Sequence, residues 1–173
     1  MVTRDFDTYT YVGFSRKQLE DLMRGWDSYG GLHGSILRKC AELVIGDSVL
    51  DVGCGFCHLY KLIQDKVSVY VGIDNDRTIL EMAKKKHPEL DIRFGDVYDL
   101  STFPNFDSVV AVGLYNHDPN TPDGILEMLK HSKKCLIFTY SPTRKPQTGV
   151  VDSLDLNMER YSLGAFDIIR VFV

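Results

Sequence analysis

The stretch VLDVGCGFCHLY, Val49 to Tyr60, admits three readings, and the choice among them decides the fold. Cys54 and Cys57, with two residues between them and His58 next, suggest a metal or redox site. Gly53 and Gly55 suggest a loop around a nucleotide. The apolar lead-in suggests only a buried strand turning into a helix. A structural zinc site needs four ligands, usually as two such pairs. Cys40 and Cys135 are isolated, one in an expected helix and one in an expected strand, so no metal site is expected. A thioredoxin-like redox site puts its cysteine pair at a helix N-terminus with no glycine after a strand aspartate. Here Gly53 stands between Asp51 and Cys54.

The nucleotide reading fits better. Asp51 ends a strand, two glycines follow at alternate positions, and a helix starts near Cys57. Glycine admits backbone conformations closed to other residues and lets a ligand come close. In an open α/β sheet the ligand lies at the carboxyl ends of the strands. About 20 residues on, the next strand ends in GIDND, which places Asp74 to accept from both hydroxyls of a ribose. A dinucleotide dehydrogenase shares these features, but its G-x-G-x-x-G fingerprint needs a third glycine. A carboxylate such as Asp51 is unhelpful beside a pyrophosphate and useful beside a positively charged ligand.

The flanks supply the architecture. Ser15 and Gln18 form a capping box before a helix with Leu19, Leu22, Met23 and Trp26 at helical spacing. WDSYGGLHG reads as a glycine-rich loop. A second helix follows, with Ile36, Leu37, Cys40, Leu43 and Val44 on one face and Gly46 as its stop. Then strands SVLDV, VSVYVGID, LDIRFGD, FDSVVAVGL and KCLIFTY alternate with helices HLYKLIQD, RTILEMAKKK and PDGILEMLKHS. That succession predicts a Rossmann-like, doubly wound, mostly parallel sheet with helices on both faces. SPTRKPQTGVVDS reads as a surface loop, LDLNMERYSLG has room for a short helix, and AFDIIRVFV reads as a last strand. Lys84, Lys85, Lys86 and His87 fall at a helix end, where positive charge favours the dipole.

The 173 residues make one domain, with an N-terminal helical part (1–46), a core (47–140) and a C-terminal loop and strand (141–173). With 44% hydrophobic and 25% charged residues a core can form. The net charge of −4 argues against a broad basic surface for nucleic acid. No apolar run is long enough for a membrane span, and the N-terminus lacks the apolar core of a signal peptide. The expected compartment is cytoplasmic, with four reduced cysteines.

VLDVGCGFC followed by VGIDND resembles motifs I and II of the class I methyltransferases that use S-adenosylmethionine. FGDVYDL resembles that family's third motif and FDSVVAVGLYNH its fourth-strand motif. The resemblance runs from about Ile36 to Tyr140, and small members with a GW segment before motif I are the most similar. It implies that Asp51, Gly53, Cys54 and Gly55 cradle the methionine portion and ribose of the donor, and that Asp74 binds the ribose. It implies that Asn75 flanks the adenine, Asp96 accepts from the adenine amino group and Val97 packs on the base. Gly113 and Leu114 would line the donor below the methyl. Tyr115 and Asn116 would shape the substrate pocket, with Trp26 and His33 as weaker candidates. The product would be S-adenosylhomocysteine.

Plainer roles compete for some of these residues. Cys54 reads as a small loop filler rather than a nucleophile, Asp96 alone as a turn residue, and His58 as first-turn helix surface. Trp26 reads as a packed aromatic at a helix end, with a lid over the donor as the rival. Against the family pattern, Cys57 replaces a third motif I glycine. Only one of the usual two closing strands is evident, so either the sheet is shortened at its C-terminal side or LDLNMERYSLG carries an element its pattern does not declare.

No catalytic base is assigned. Tyr115, Asn116, His117, Asp118 and His33 qualify by position only, and a base is needed only if the acceptor holds a proton. The Asn-Pro-Pro-Tyr type of motif is absent, which favours a small-molecule acceptor over nucleic acid, with a protein acceptor left open and no membrane partner. The alternatives are a non-catalytic donor-binding module, favoured by the short C-terminal region, and an NAD-dependent oxidoreductase.

Overall fold

The structure is a computed structural model and describes residues 13–114, 121–141 and 151–173. Helices α1 (Arg16–Asp27) and α2 (Gly31–Leu43) precede β1 (Ser48–Val52). There follow α3 (His58–Ile63), β2 (Val69–Asp74), α4 (Arg77–Lys86), β3 (Asp91–Phe94) and β4 (Phe106–Ala111). The chain continues through α5 (Thr121–Lys130), β5 (Ser132–Tyr140), a 3-10 turn at Val151–Ser153, β6 (Met158–Leu163) and β7 (Phe166–Phe172). The seven strands form one sheet in the order β3-β2-β1-β4-β5-β7-β6. Strands β1 to β5 pair in parallel, and β7 runs antiparallel between β5 and β6. The order reverses between β1 and β4, and that switch point is where such sheets open a ligand crevice.

The central strands are apolar because both faces are covered. Along β5, Cys135 and Ile137 join one core layer while Leu136, Phe138 and Tyr140 join the other. The first layer packs under α2, α3 and α4 through Ile36, Cys40, Leu59, Ile63, Leu80 and Ala83. The second lies under α5, through Ile125 and Met128, and under Val97 and Leu100. Each side chain of this kind stabilises by roughly 1.5–3 kcal/mol when fully buried.

Ser15 caps α1, with its hydroxyl accepting from the Gln18 amide and the Gln18 side chain answering to the Ser15 amide. A third, smaller cluster docks this helix, as Leu19 meets Phe56, Ile79 and Met82. Among the described residues no helix is long and apolar enough to cross a membrane.

Two expectations need correction. The segment LDLNMERYSLG holds no short helix; it contains strand β6, so the sheet carries both closing strands and is not shortened. The reason is position: β6 is an edge strand, and its outward Glu159 and Arg160 break the apolar alternation that marks a strand. The final apolar run is β7, an interior strand with Ile168 and Ile169 fully buried. In addition, helix α2 begins at Gly31, so the second half of the expected WDSYGGLHG loop is already helical.

Candidate functional site

The carboxyl ends of β3, β2, β1 and β4 stand side by side, and Asp51, Gly53, Gly55, Asp74, Asp96 and Gly113 lie at or just past them. Past β1 the chain turns through Gly53 (φ +69) and Gly55 (φ +52), both left-handed. The Cys54 amide donates to Ile73 C=O at 2.9 Å, which ties the turn to β2. The Gly55 amide then donates to Asp74 Oδ2 at 3.0 Å. Asp74 Oδ1 accepts from the Asp76 amide at 2.9 Å. Each carboxylate oxygen can accept twice, so Asp74 keeps capacity for a diol. A Cβ at Gly55 would meet nothing within 4 Å, so this loop borders open space.

The neighbouring strand ends close the frame. The Gly95 amide donates to Asp74 C=O at 3.1 Å, which brings the β3 exit beside β2. There Asp96 serves a turn, with Oδ1 accepting from the Tyr98 amide at 3.1 Å. Val97 is buried in the second core layer rather than set out on the surface. Asn75 lies half-buried between Asp74 and Asp76, and Asp76 caps α4 by accepting from Thr78 and Ile79. At the β4 exit the Gly113 amide donates to Thr139 Oγ1 at 2.7 Å. Leu114 lies over Gly53, where an added Cβ would stand 3.2 Å from its Cδ1. Tyr115, Asn116, His117 and Asp118 lie outside the described residues.

Beneath the loop, Asp51 is 3% exposed and its Oδ2 accepts from the Tyr70 hydroxyl at 2.6 Å. Burial pushes its carboxyl up to about 7, against the Tyr70 hydrogen bond and with help from the negative charge of Asp74. Burial also raises Asp74. A buried carboxyl with a half-buried one beside it, both with raised pKa values, favours a ligand that brings positive charge.

Trp26 and His33 come together on the α1–α2 corner, their rings stacked at 4.4 Å. Trp26 also packs on the Leu19 cluster, so the packed-aromatic reading describes it. Burial holds the His33 imidazole below its ordinary pKa. His58 corrects the sequence reading: it is not helix surface but 5% exposed. Its ring sits edge-on to Trp26, Phe56 and Tyr29. Its Nε2 faces Asp27 Oδ1 at 3.2 Å and Met23 C=O at 3.3 Å, so the proton of the neutral ring sits on Nε2. Burial, with Lys86 adding, pushes its pKa down to about 4. Asp27 also binds Lys86, so this small network clasps α1 to α3 and α4.

Sequence reading missed Tyr70 and Thr139 and misplaced His58. No local pattern reports them, because each acts through a residue distant in sequence. Among the described residues no group of three or more His, Cys, Asp or Glu is placed to hold a metal ion.

A sheet of this order, with a glycine turn after β1 and an acid at the end of β2, defines a class I methyltransferase fold. A family profile described as "Methyltransferase domain" matches residues 49–136. The chain belongs to that family, the S-adenosylmethionine-dependent methyltransferases of class I. A probable S-adenosylmethionine-dependent methyltransferase of Mycolicibacterium smegmatis is 29% identical over 68 residues, 39% of this chain. That match spans only 26% of the relative's length. Among solved structures, a TehB-like methyltransferase from Corynebacterium glutamicum superposes with a TM-score of 0.67 at 16% identity, covering 92% of this chain and 99% of that one. A possible histamine N-methyltransferase from Thermotoga maritima gives 0.68 at 15% identity, covering 90% and 96%. The magnesium protoporphyrin IX methyltransferase of Synechocystis, with bound S-adenosylmethionine, gives 0.62 at 18%, covering 98% and 94%. At these identities the likeness is one of fold.

Proposed function

We propose that this chain binds S-adenosylmethionine at the carboxyl edge of β1–β4 and transfers its methyl group to a small-molecule acceptor. The observation that carries the reading is the bridge from the Gly55 amide to Asp74, which fixes the glycine loop against the acid at the end of β2. The residues suit the donor. Asp74 retains acceptor capacity for two ribose hydroxyls, and Asn75 and the Asp96 turn flank the place of the base. Gly55 leaves room for the methionine portion, and Gly113 and Leu114 border the methyl from the β4 side. The buried carboxyl of Asp51 and the half-buried one of Asp74 favour a cationic ligand over a pyrophosphate, which separates this reading from a nicotinamide enzyme.

The donor supplies an electrophilic methyl on a sulfonium. The chain's own task is then to hold the acceptor atom in line with the methyl–sulfur bond, catalysis by proximity and orientation. Trp26 and His33, stacked at the α1–α2 corner, are the described candidates for contact with an acceptor. The net charge of −4 and the absence of an Asn-Pro-Pro-Tyr motif support a small molecule over nucleic acid.

Calorimetric titration with S-adenosylmethionine, S-adenosylhomocysteine and NAD tests the reading, on the native chain and on Asp74→Ala. Either sulfur ligand is expected to bind, and the variant to bind about 10- to 100-fold more weakly, as loss of a charged hydrogen bond predicts. A thermal melt checks that the variant folds. Binding of NAD alone overturns the proposal. Donor binding without turnover over a broad acceptor panel favours a non-catalytic module.

A further inference from the structure

The donor reading places Cys54 in the loop but gives neither thiol any chemistry, and no metal claims the Cys54-x-x-Cys57 pair, yet the structure brings its sulfurs together. The Cys57 amide donates to Cys54 C=O at 2.8 Å, closing a tight turn. A turn of this size holds its end Cα atoms under about 7 Å apart, close to the span a disulfide bridges. Both sulfurs lie over Gly72 of β2: a Cβ built there would stand 3.0 Å from Cys54 Sγ and 3.4 Å from Cys57 Sγ. Cys54 Sγ stands 3.8 Å from Gly55 C=O, and the neighbouring Cys57, together with burial, pushes the Cys54 thiol well above its ordinary pKa.

Cys57 also sits where a side chain is unfavourable. Its φ is +58, the left-handed region, and it occupies the position where the family often has a glycine. A residue with a Cβ is disfavoured there by roughly 1–2 kcal/mol. Between the cysteines lies Gly55, whose amide holds Asp74.

We infer that Cys54 and Cys57 form a reversible disulfide that loosens the donor loop, making donor binding redox-dependent. The inference rests on the donor site proposed above. The oxidant is a peroxide. Cys54, the more exposed residue at 8% against 0% for Cys57, supplies the Sγ that attacks one peroxide oxygen. The O–O bond breaks, a sulfenic acid forms and one water leaves. Cys57 Sγ then attacks that sulfur, the S–S bond forms and a second water leaves. Two thiols lose two hydrogens, and one hydrogen peroxide becomes two waters. A disulfide needs its sulfurs about 2.05 Å apart. Closing to that distance draws the turn tight and shifts the Gly55 amide away from Asp74. The raised pKa of the Cys54 thiol keeps it protonated at neutral pH, so its attack on the peroxide speeds up as pH rises.

The test treats the reduced full-length chain with hydrogen peroxide, with and without S-adenosylhomocysteine. Remaining free thiols are alkylated, peptides are mapped by mass, and donor affinity is measured by calorimetry before and after. The expected result is a Cys54–Cys57 link, reversed by dithiothreitol, with donor affinity lowered about tenfold, within the usual range of site coupling. By reciprocity, bound S-adenosylhomocysteine shifts the thiol–disulfide equilibrium toward the reduced pair. Cys57→Gly, which suits the left-handed backbone, is expected to bind donor and lose its peroxide response. No link, a link to Cys40 or Cys135 instead, or a correct link with unchanged affinity overturns the inference. If the reduced chain binds no donor, the site reading fails; the peptide map still reports the bond on its own.

Discussion

The hydroxyl of Tyr70 donates to Asp51 Oδ2 at 2.6 Å, crossing diagonally from β2 to β1 beneath the turn at Gly53. Asp51 stands opposite Gly72 in the register, and Tyr70 opposite Val49. The two side chains therefore share a face of the sheet. Tyr70→Phe removes the hydrogen bond and leaves the ring. A buried acceptor deprived of its donor costs about 1–3 kcal/mol. The urea unfolding midpoint is expected to fall accordingly; an unchanged midpoint rejects the pairing as a stabilising one.

Asp51 and His58 give opposite pH signatures. The folded Asp51 carboxyl has a pKa of about 7, above the ordinary 3.8. Between those values the folded chain holds a proton that the unfolded chain has released. Its contribution is present in full at low pH and is lost as pH rises toward 7. The native chain should therefore lose stability relative to Asp51→Asn from pH 4 to 7. His58 behaves inversely, with a folded pKa of about 4 below the ordinary 6.5. Here the unfolded chain takes up the proton first. The native chain should lose stability relative to His58→Gln as pH falls from 6.5 to 4, by at most about 3 kcal/mol at ~1.4 kcal/mol per unit. Denaturant melts across this range would refute either assignment by showing a slope of the wrong sign.

Thr139 anchors the β4 exit. Its hydroxyl accepts from the Gly113 amide at 2.7 Å, and the residue is 1% exposed. Thr139→Val keeps the shape and removes the acceptor, so a cost of about 1–3 kcal/mol is expected. Thr139→Ser should restore most of it. Calorimetry adds a second readout: donor affinity should fall in the valine variant and recover in the serine variant, because Gly113 leads into Leu114 over Gly53. Equal stability of all three chains argues against the anchor.

The legible part of this fold was the part buried on both faces. Leu50, Val109, Leu136 and Phe138 sit in strands covered above and below, and such strands read as apolar runs. The glycine turn and Asp74 were legible because their spacing is local. Strand β6 was not. It lies at the sheet edge, and its register is set partly by Arg160 beside Asp167 and Arg170 beside Glu159, pairs that span the β6–β7 hairpin. His58 was misread because its cover comes from α1, through Met23, Trp26 and Asp27, about 30 residues earlier in the chain. A helix's own periodicity cannot report a lid contributed from elsewhere.

Gly72 tests how closely the motif I turn and β2 are fitted. It is an interior strand residue, where glycine is ordinarily weak. Here its missing side chain makes room: an added Cβ would lie 3.0 Å from Cys54 Sγ, 3.2 Å from Cys54 Cβ and 3.4 Å from Cys57 Sγ. Gly72→Ala should therefore destabilise the chain by about 1–3 kcal/mol, the usual range for overpacking a core. Removing the Cys54 sulfur should relieve part of that, so Gly72→Ala with Cys54→Ala should lose less than the sum of the two single changes. A strictly additive pair would mean that the sulfur is not the obstacle and that Cys54 Cβ is. A single variant as stable as the native chain would mean that the turn lifts easily from β2. In that case peroxide closure of the two sulfurs would have little hold on Gly55.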